Sequence, residues 1–309
     1  MIPTVSIIMA TYNRAHLIAE MLDSVKQQKY TQWECIIVND GSTDDTDLVV
    51  QKYSEHDKRF RYVYRPQNYG KGLPGCRNYG LDIANGEYVV FFDDDDVVHP
   101  QLLELSVEGI SSGMYDFCQY RKQWFAEHRP DSKLQTHVEM ERTLNHTYIS
   151  DLITYKYPMA SCTVLWKKSF LSERFDDTLQ YAEEWEYYNR LFLHHPAFKG
   201  LVLKNTLYYN RKHPQSNTGE FFNADTKRIQ SHSKASYLLL CNYIKSEYTL
   251  NKSVTQYLLN ILIRNRAKEM YTESVKLLTS EYMYRLYMQL AYLCYPFYYP
   301  VYKVLHKLK

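Results

Sequence analysis

The chain has 309 residues, 45% of them hydrophobic, and 37 Lys and Arg against 35 Asp and Glu give it a net charge of +2. This composition excludes a disordered chain and leaves nucleic acid without a bulk electrostatic attraction. It supplies core enough for one large domain, or a domain with an appendage. Six cysteines (Cys35, Cys76, Cys118, Cys162, Cys241, Cys294) stand singly with no CxxC pair, which fits reduced thiols in a cytosolic protein and not a disulfide framework or a zinc site. The start of the chain lacks the basic and apolar regions of a signal peptide, and no window has the uninterrupted apolar length of a membrane span.

Residues 5–9 read as a short buried strand, followed by a loop at 10–14. Leu17, Ile18, Met21, Leu22 and Val25 then recur at helical spacing. Residues 33–38 form a second strand, broken by Asn39-Asp40-Gly41-Ser42, with Ser42 or Thr43 placed to cap a helix running to about Ser54. Residues 60–64 alternate as a third strand, and a glycine-bearing loop at 68–75 leads into a helix through Ala84. Asn85-Gly86 turns the chain into Tyr88-Val89-Val90-Phe91-Phe92, a fourth buried strand that ends on Asp93-Asp94-Asp95-Asp96. Strand–helix alternation with short connections predicts an α/β domain with a largely parallel sheet. Ligands collect at the carboxyl ends of such strands, so Tyr12, Asp40 and the acidic run should meet at one edge.

Four adjacent carboxylates repel one another, and a divalent cation relieves them; hard oxygen ligands suit Mg²⁺ or Mn²⁺. Asp93 and Asp95, two apart on a strand, leave from the same face. The alternative is a solvated acidic turn. Beyond Pro100 a helix at 101–110 and a strand at 116–124 are expected, then a polar, irregular loop at 125–145. Residues 161–166 look like a strand, 170–175 like a helix and turn, 183–192 like a helix with acids at its front, and 207–211 like a late strand. Everything from 223 onward reads as helical.

The order of VSIIMATYNR (5–14), IVNDGST (37–43), Arg77-Asn78, the acidic strand end at 86–100 and EEWEYYNR (183–190) resembles inverting family 2 glycosyltransferases. The likeness covers roughly residues 3–215. It implies the GT-A fold, a Rossmann-like and mostly parallel sheet flanked by helices, here as a catalytic domain over 1–220 with a helical extension over 221–309. It also implies a UDP-sugar donor, bound Mg²⁺ or Mn²⁺, and a hydroxyl of a glycan or lipid-linked molecule as acceptor, in bacterial surface-polysaccharide synthesis. Carried over by position, Asp95 is the direct metal ligand, with Asp93 a second ligand nearer the ribose or sugar, Asp94 beside them and Asp96 in support. Tyr12 packs on the base with Ala10 and Thr11 lending backbone, and Asp40 accepts a hydrogen bond from uracil or ribose. Arg77 belongs to the nucleotide pocket, Lys71 assists with phosphate charge, and His213 stands near the diphosphate.

The family carries Glu-Asp, an aromatic, and Arg six residues past the second acid. Glu183-Glu184-Trp185 with Arg190 keeps that register, which assigns Glu184 as general base with Glu183 as runner-up. Both acids would also favour a helix N-terminus by its dipole alone, and Glu186 is expected to face solvent. Simpler readings stand beside several of these: packing for Tyr12, turn formation for Asp40, a solvated charge for Arg77, Lys71 and His213. A catalytically inactive nucleotide-sugar-binding protein is the second reading of the whole chain, although all the expected carboxylates are present. Residues 282–309 hold no Asp or Glu but many tyrosines and Arg285, Lys303, Lys307 and Lys309. They suit either peripheral contact with the inner membrane leaflet or packing on protein, a second subunit included.

Overall fold

The computed structural model describes residues 4–111, 114–126, 130, 133–135, 137–212 and 225–278. Its first half alternates as the apolar periodicity requires: β1 (Val5–Thr11), α1 (Ile18–Lys26), β2 (Trp33–Asn39), α2 (Thr46–His56), β3 (Phe60–Tyr64), α3 (Leu73–Ile83) and β4 (Tyr88–Asp93). The strands lie side by side as β3-β2-β1-β4, and all three pairings are parallel. Ala10 stands in register with Val38 on one side and Asp93 on the other, so the loops after β1, β2 and β4 open at the same level. Alternate residues of each strand feed opposite faces: Ile8, Ile36 and Phe91 join one apolar cluster, and Ile7, Ile37 and Phe92 the other.

The second half continues through β5 (Val97–Val98), α4 (Leu102–Ile110), β6 (Phe117–Phe125), β7 (Met140–Leu144), α5 (Ile149–Ile153), β8 (Val164–Lys167), α6 (Glu183–His194) and β9 (Gly200–Arg211). Here the sheet becomes mixed. β8 is antiparallel to both β4 and β6, β6 is parallel to β9, and the far edge of β9 takes β7 and β5, both antiparallel.

Several local expectations change for tertiary reasons. The expected loop at 125–145 contains β7, whose half-exposed residues have no apolar signature and become a strand by pairing with β9. β9 begins at Gly200 and not at 207, and residues 161–163 form a 3₁₀ turn, leaving the strand only from Val164. Residues 171–175 follow a short 3₁₀ turn and are irregular. α2 begins at Thr46, beyond either proposed cap, because Ser42 accepts a hydrogen bond from the backbone N–H of Asn13 instead.

Three helices complete the described chain: α7 (Thr226–Lys245), α8 (Lys252–Arg264) and α9 (Lys268–Leu277). Asp225 and Asn251 cap the first two by accepting backbone N–H groups of the opening turn. Leu239, Leu258 and Val275 join the apolar cluster that also holds Phe91, Trp166 and Trp185, so these helices share the core of the sheet. Among the described residues no helix is long and apolar enough to cross a membrane. The basic, tyrosine-rich segment at 282–309 lies outside the described residues.

His232, on α7, packs against the rings of Tyr181 and Trp185. Burial, with Arg264 as a second cause, pushes its imidazole down to about 4. An unfolded histidine titrates near about 6.5, so below that pH the unfolded chain takes up a proton that the folded one refuses. Stability should therefore fall as pH drops through this window, by up to about 3 kcal/mol at about 1.4 kcal/mol per unit. Urea unfolding at pH 7, 5.5 and 4.5 should show His232→Phe free of this component. Parallel losses in both proteins would assign the acid sensitivity elsewhere.

Candidate active site

The loops that follow β1 and β2 hold each other in place. Asn13, in the left-handed region at φ 54°, accepts the backbone N–H of Thr43 at 2.8 Å. Ser42 accepts that of Asn13 at 3.0 Å, and Thr46 that of Arg14 at 2.9 Å. Asn39 adds two bonds from the N–H groups of Gly41 and Ser42, with Gly41 at φ 92° where a side chain would be strained. This lattice places Tyr12 and Asp40 at the mouth of one cavity of about 1300 Å³ at the carboxyl end of the parallel strands.

That cavity brings together Ala10, Thr11, Tyr12, Asp40, Asp93, Asp94, Asp95, Glu183 and Glu184. Tyr12 is 46% exposed, with the Lys71 ammonium 5.6 Å from its ring centre, so its face is accessible to a planar ligand. Asp40 accepts from Arg65 and from the backbone N–H of Gly72 at 3.0 Å, which fixes the carboxylate against the loop before α3. His213 lies outside the described residues.

Arg77 differs from its expected place. Its side chain is 2% exposed, sandwiched toward the rings of Phe91 and Phe175, and it lies behind the cavity wall instead of in a nucleotide pocket. One nitrogen approaches Asp93 at 3.4 Å and Glu184 at 2.9 Å, and the other lies 3.6 Å from Glu183. One guanidinium thus serves three carboxylates from two distant parts of the chain, the end of β4 and the start of α6. Gly80 makes this possible on α3: a Cβ there would come within 2.4 Å of Ile8, so the helix lies directly on β1.

The acids after β4 have separate surroundings. Asp94 is buried, with Arg14 at 3.5 Å. Asp96 is 1% exposed and accepts two bonds from Asn210 and one from the backbone N–H of Arg211 at 2.6 Å. Burial first, and neighbouring carboxylates after it, push Asp94 up to about 7 and Asp96 up to about 8. Burial likewise pushes Asp93 up to about 6, against the pull of Arg77. The charge is under-compensated, which is the condition a divalent cation relieves. Ligand atoms of Asp93, Asp96 and Cys162 lie within 4.8 Å of one another. Burial holds the Cys162 thiol well above its ordinary pKa, and Asp96 already spends its oxygens on Asn210 and Arg211. The donor chemistry open to the cavity is therefore the hard oxygens of Asp93 and Asp95, which fit Mg²⁺ or Mn²⁺.

Glu183 and Glu184 open α6, yet their environments diverge. Burial and the adjacent Glu184 charge push Glu183 up to about 7. Burial would raise Glu184 too, but Arg77 and the backbone N–H of Ser161, which donates to it at 2.9 Å, outweigh that and hold it below the ordinary glutamate range. Arg77 and Ser161 thus favour the ionised form of Glu184, whose side chain is 26% exposed in the cavity. Glu186 does not face solvent: it is 1% exposed and pairs with Arg190 at 2.7 Å, because its side chain turns along the helix to the residue four positions on.

Another part of the cavity wall had no motif. It is lined by Lys122 and Trp124 of β6, Tyr157, Tyr181, and the stacked pair Tyr155 and Trp185. Of these, only Trp185 stood in a recognisable run. The others meet because β6, α5 and α6 converge.

A mixed α/β sheet whose strand ends collect carboxylates around a large cleft defines a nucleotide-diphospho-sugar transferase architecture, and the comparisons agree with it. The chain belongs to glycosyl transferase family 2, whose sequence profile matches residues 6–175. EpsJ of Bacillus subtilis (strain 168), an uncharacterized glycosyltransferase, is 28% identical over 226 residues, 71% of this chain and 64% of EpsJ. The GalNAc(5)-diNAcBac-PP-undecaprenol beta-1,3-glucosyltransferase of Campylobacter jejuni is 43% identical over 94 residues, 30% of each chain. The match thus spans less than two thirds of either relative. S. aureus TarS 1–349, crystallised in complex with UDP-GlcNAc, shares the fold at a TM-score of 0.64 and 20% identity, covering 88% of this chain and 79% of that one.

Removing the buried counter-charge should be costly. Arg77→Met is expected to lower stability by about 3–5 kcal/mol at pH 7.5. The loss should shrink at pH 5.5, because Asp93, Glu183 and Glu184 would then have raised pKa values in the folded state and shed their repulsion by taking up protons. Denaturant unfolding at both pH values checks this. An equal loss at each would mean that Arg77 matters for its packing and not its charge.

Proposed function

We propose that this protein is an inverting glycosyltransferase that moves a sugar from a UDP-sugar to a hydroxyl of a glycan or lipid-linked acceptor, in bacterial cell-surface polysaccharide synthesis. The observation that carries the reading is the Glu184 carboxylate, kept ionised by Arg77 and Ser161 in the same cavity as Asp93, Asp94 and Asp95. A carboxyl group must be ionised before it can act as a base, and the surroundings of Glu184 support that role over Glu183.

Tyr12 receives the base of the donor, with Ala10 and Thr11 offering backbone, and Asp40 takes a hydrogen bond from uracil or ribose while Arg65 and Gly72 hold it in place. Asp93 and Asp95 would hold Mg²⁺ or Mn²⁺, and Asp94 lines the donor half beside them. Such a cation supplies neutralisation of the charge that develops on a diphosphate leaving group. Glu184 takes the proton of the acceptor hydroxyl as its oxygen attacks the anomeric carbon. The bond to the diphosphate breaks on the opposite side, and the configuration inverts. Glu183, pushed up to about 7, carries less than a full charge near neutral pH and so places less negative charge beside Glu184.

The part of the cavity wall without a motif is the acceptor side. Tyr155, Trp185, Tyr157 and Tyr181 offer the flat apolar faces on which sugar rings stack. A lipid-linked acceptor is supported by the Campylobacter relative, whose name carries a diphospho-undecaprenol acceptor. It would place the protein at the cytoplasmic face of the membrane, with the basic segment at 282–309 as its surface contact.

UDP release should be measured across a panel of UDP-sugars, with Mn²⁺ and with EDTA. At least one donor is expected to react, and chelation should abolish turnover. Glu184→Gln should lower the rate by about 10²–10⁴-fold, the usual contribution of a general base. Silence with every donor, or undiminished turnover in Glu184→Gln, would remove this reading.

A further inference from the structure

The turn that presents Glu184 is held from outside the family-matched segment. Ala182, immediately before α6, sits in the left-handed region at φ 63°, where a residue with a Cβ is strained, and it provides no side-chain cap. Glu183 and Glu184 are the first two residues of the helix, so a fraying N-terminus would move both. The hydrogen bonds that secure this turn come from α7. The Ser231 hydroxyl accepts the backbone N–H groups of Gln180 and Tyr181, each at 2.9 Å, and donates to the carbonyl of Tyr181 at 2.7 Å. A hydroxyl has one proton and two lone pairs, and all are used here. His232 follows, its ring against Tyr181 and against Trp185, one residue past Glu184.

Ser231 is 7% exposed and does not line the cavity, whereas Gln180, Tyr181 and Ala182 do. It therefore acts at one remove. We propose that Ser231 is a positioning residue for the general base: its hydroxyl fixes the strained turn at 180–182 and so sets where the Glu184 carboxylate stands beside the acceptor. The helical extension, which matches no part of the family profile, is then a working part of the catalytic site. The proposal rests on Glu184 being the base. A displacement of about 1 Å in a catalytic group can cost about a hundredfold in rate, so a lost clamp should be visible in turnover without any loss of donor binding.

The full chain is compared with Ser231→Ala, Ser231→Thr and Glu184→Gln. Alanine favours helices, so α7 should survive the first change; Ser231→Cys, of similar size and a poor hydrogen bonder, replaces it if the alanine variant does not fold. UDP affinity is measured by calorimetry, turnover by UDP release from the most active UDP-sugar, and local order by hydrogen exchange. Ser231→Ala is expected to keep its UDP Kd within about twofold and lose about tenfold or more in kcat. Exchange should quicken in the peptide spanning 180–186 and not in β1 or β4. Threonine, which retains the hydroxyl, should recover most of the rate. Turnover equal to the unmodified protein in Ser231→Ala, with Glu184→Gln inactive, overturns this proposal and leaves the assignment of the base intact. UDP affinity and turnover falling together would make Ser231 a general structural brace, which also overturns it. Full activity in Glu184→Gln removes the base itself.

Discussion

Everything at the catalytic end depends on one buried guanidinium. Arg77 stands 2% exposed among Asp93, Glu183 and Glu184, and a charge so placed is tolerable only with partners. The three partners come from β4 and from α6, so the ion cluster is also a geometric tie between the acidic strand end and the helix that carries the base. Its asymmetry matters as much as its presence. Arg77 lies nearest Glu184, to which Ser161 adds a backbone N–H, and the adjacent Glu183 is left raised. Two like residues side by side are pushed in opposite directions by their surroundings, one up by burial and the other down by Arg77 and Ser161.

The parallel half of the sheet supplies the other constraint. Registering Ala10 with both Val38 and Asp93 brings three loop starts to one level, and the interlocked bonds among Asn13, Ser42, Thr43 and Thr46 keep two of those loops from moving independently. The mixed half then turns β6 and β9 across the opening and adds Lys122 and Trp124 to its wall. The second half relies on irregular connections and edge strands, which tolerate change that central parallel strands do not. The helices beyond residue 225 pack on α6 and extend the same core, so that Glu184 and the helices that hold its segment alike lie beyond the family-matched residues 6–175.

Much of this was legible in the amino-acid order, and for physical reasons. Apolar runs at period two and at 3.6 define β1 to β4 and α1 to α3 locally, because burial on a central sheet leaves no room for polar residues. The acidic run, Asp40 and Tyr12 were legible as a set because parallel topology carries strand ends to one edge, whereas the Glu183-Glu184 pair, which opens a helix, was legible only through the family resemblance. β7 was not, since Met140-Glu-Arg-Thr-Leu144 is half exposed and becomes a strand only through β9. Glu186 was misread as solvated because a charge on a helix declares neither its face nor its partner, here Arg190.

The sequence by itself therefore determined the α/β class, the family and which carboxylates stand at the candidate site. Only the tertiary structure decided that Arg77 lies behind the cavity wall, that Asp96 is spent on Asn210 and Arg211, that burial raises Glu183 while Arg77 and Ser161 lower Glu184, and that Ser231 reaches the turn before α6. The division follows from range. Periodicity and strand ends are properties of neighbouring residues, whereas burial, charge compensation and hydrogen-bond partners are set by groups more than a hundred residues apart in the chain, as Arg77 and Glu184 or Asp96 and Arg211 are.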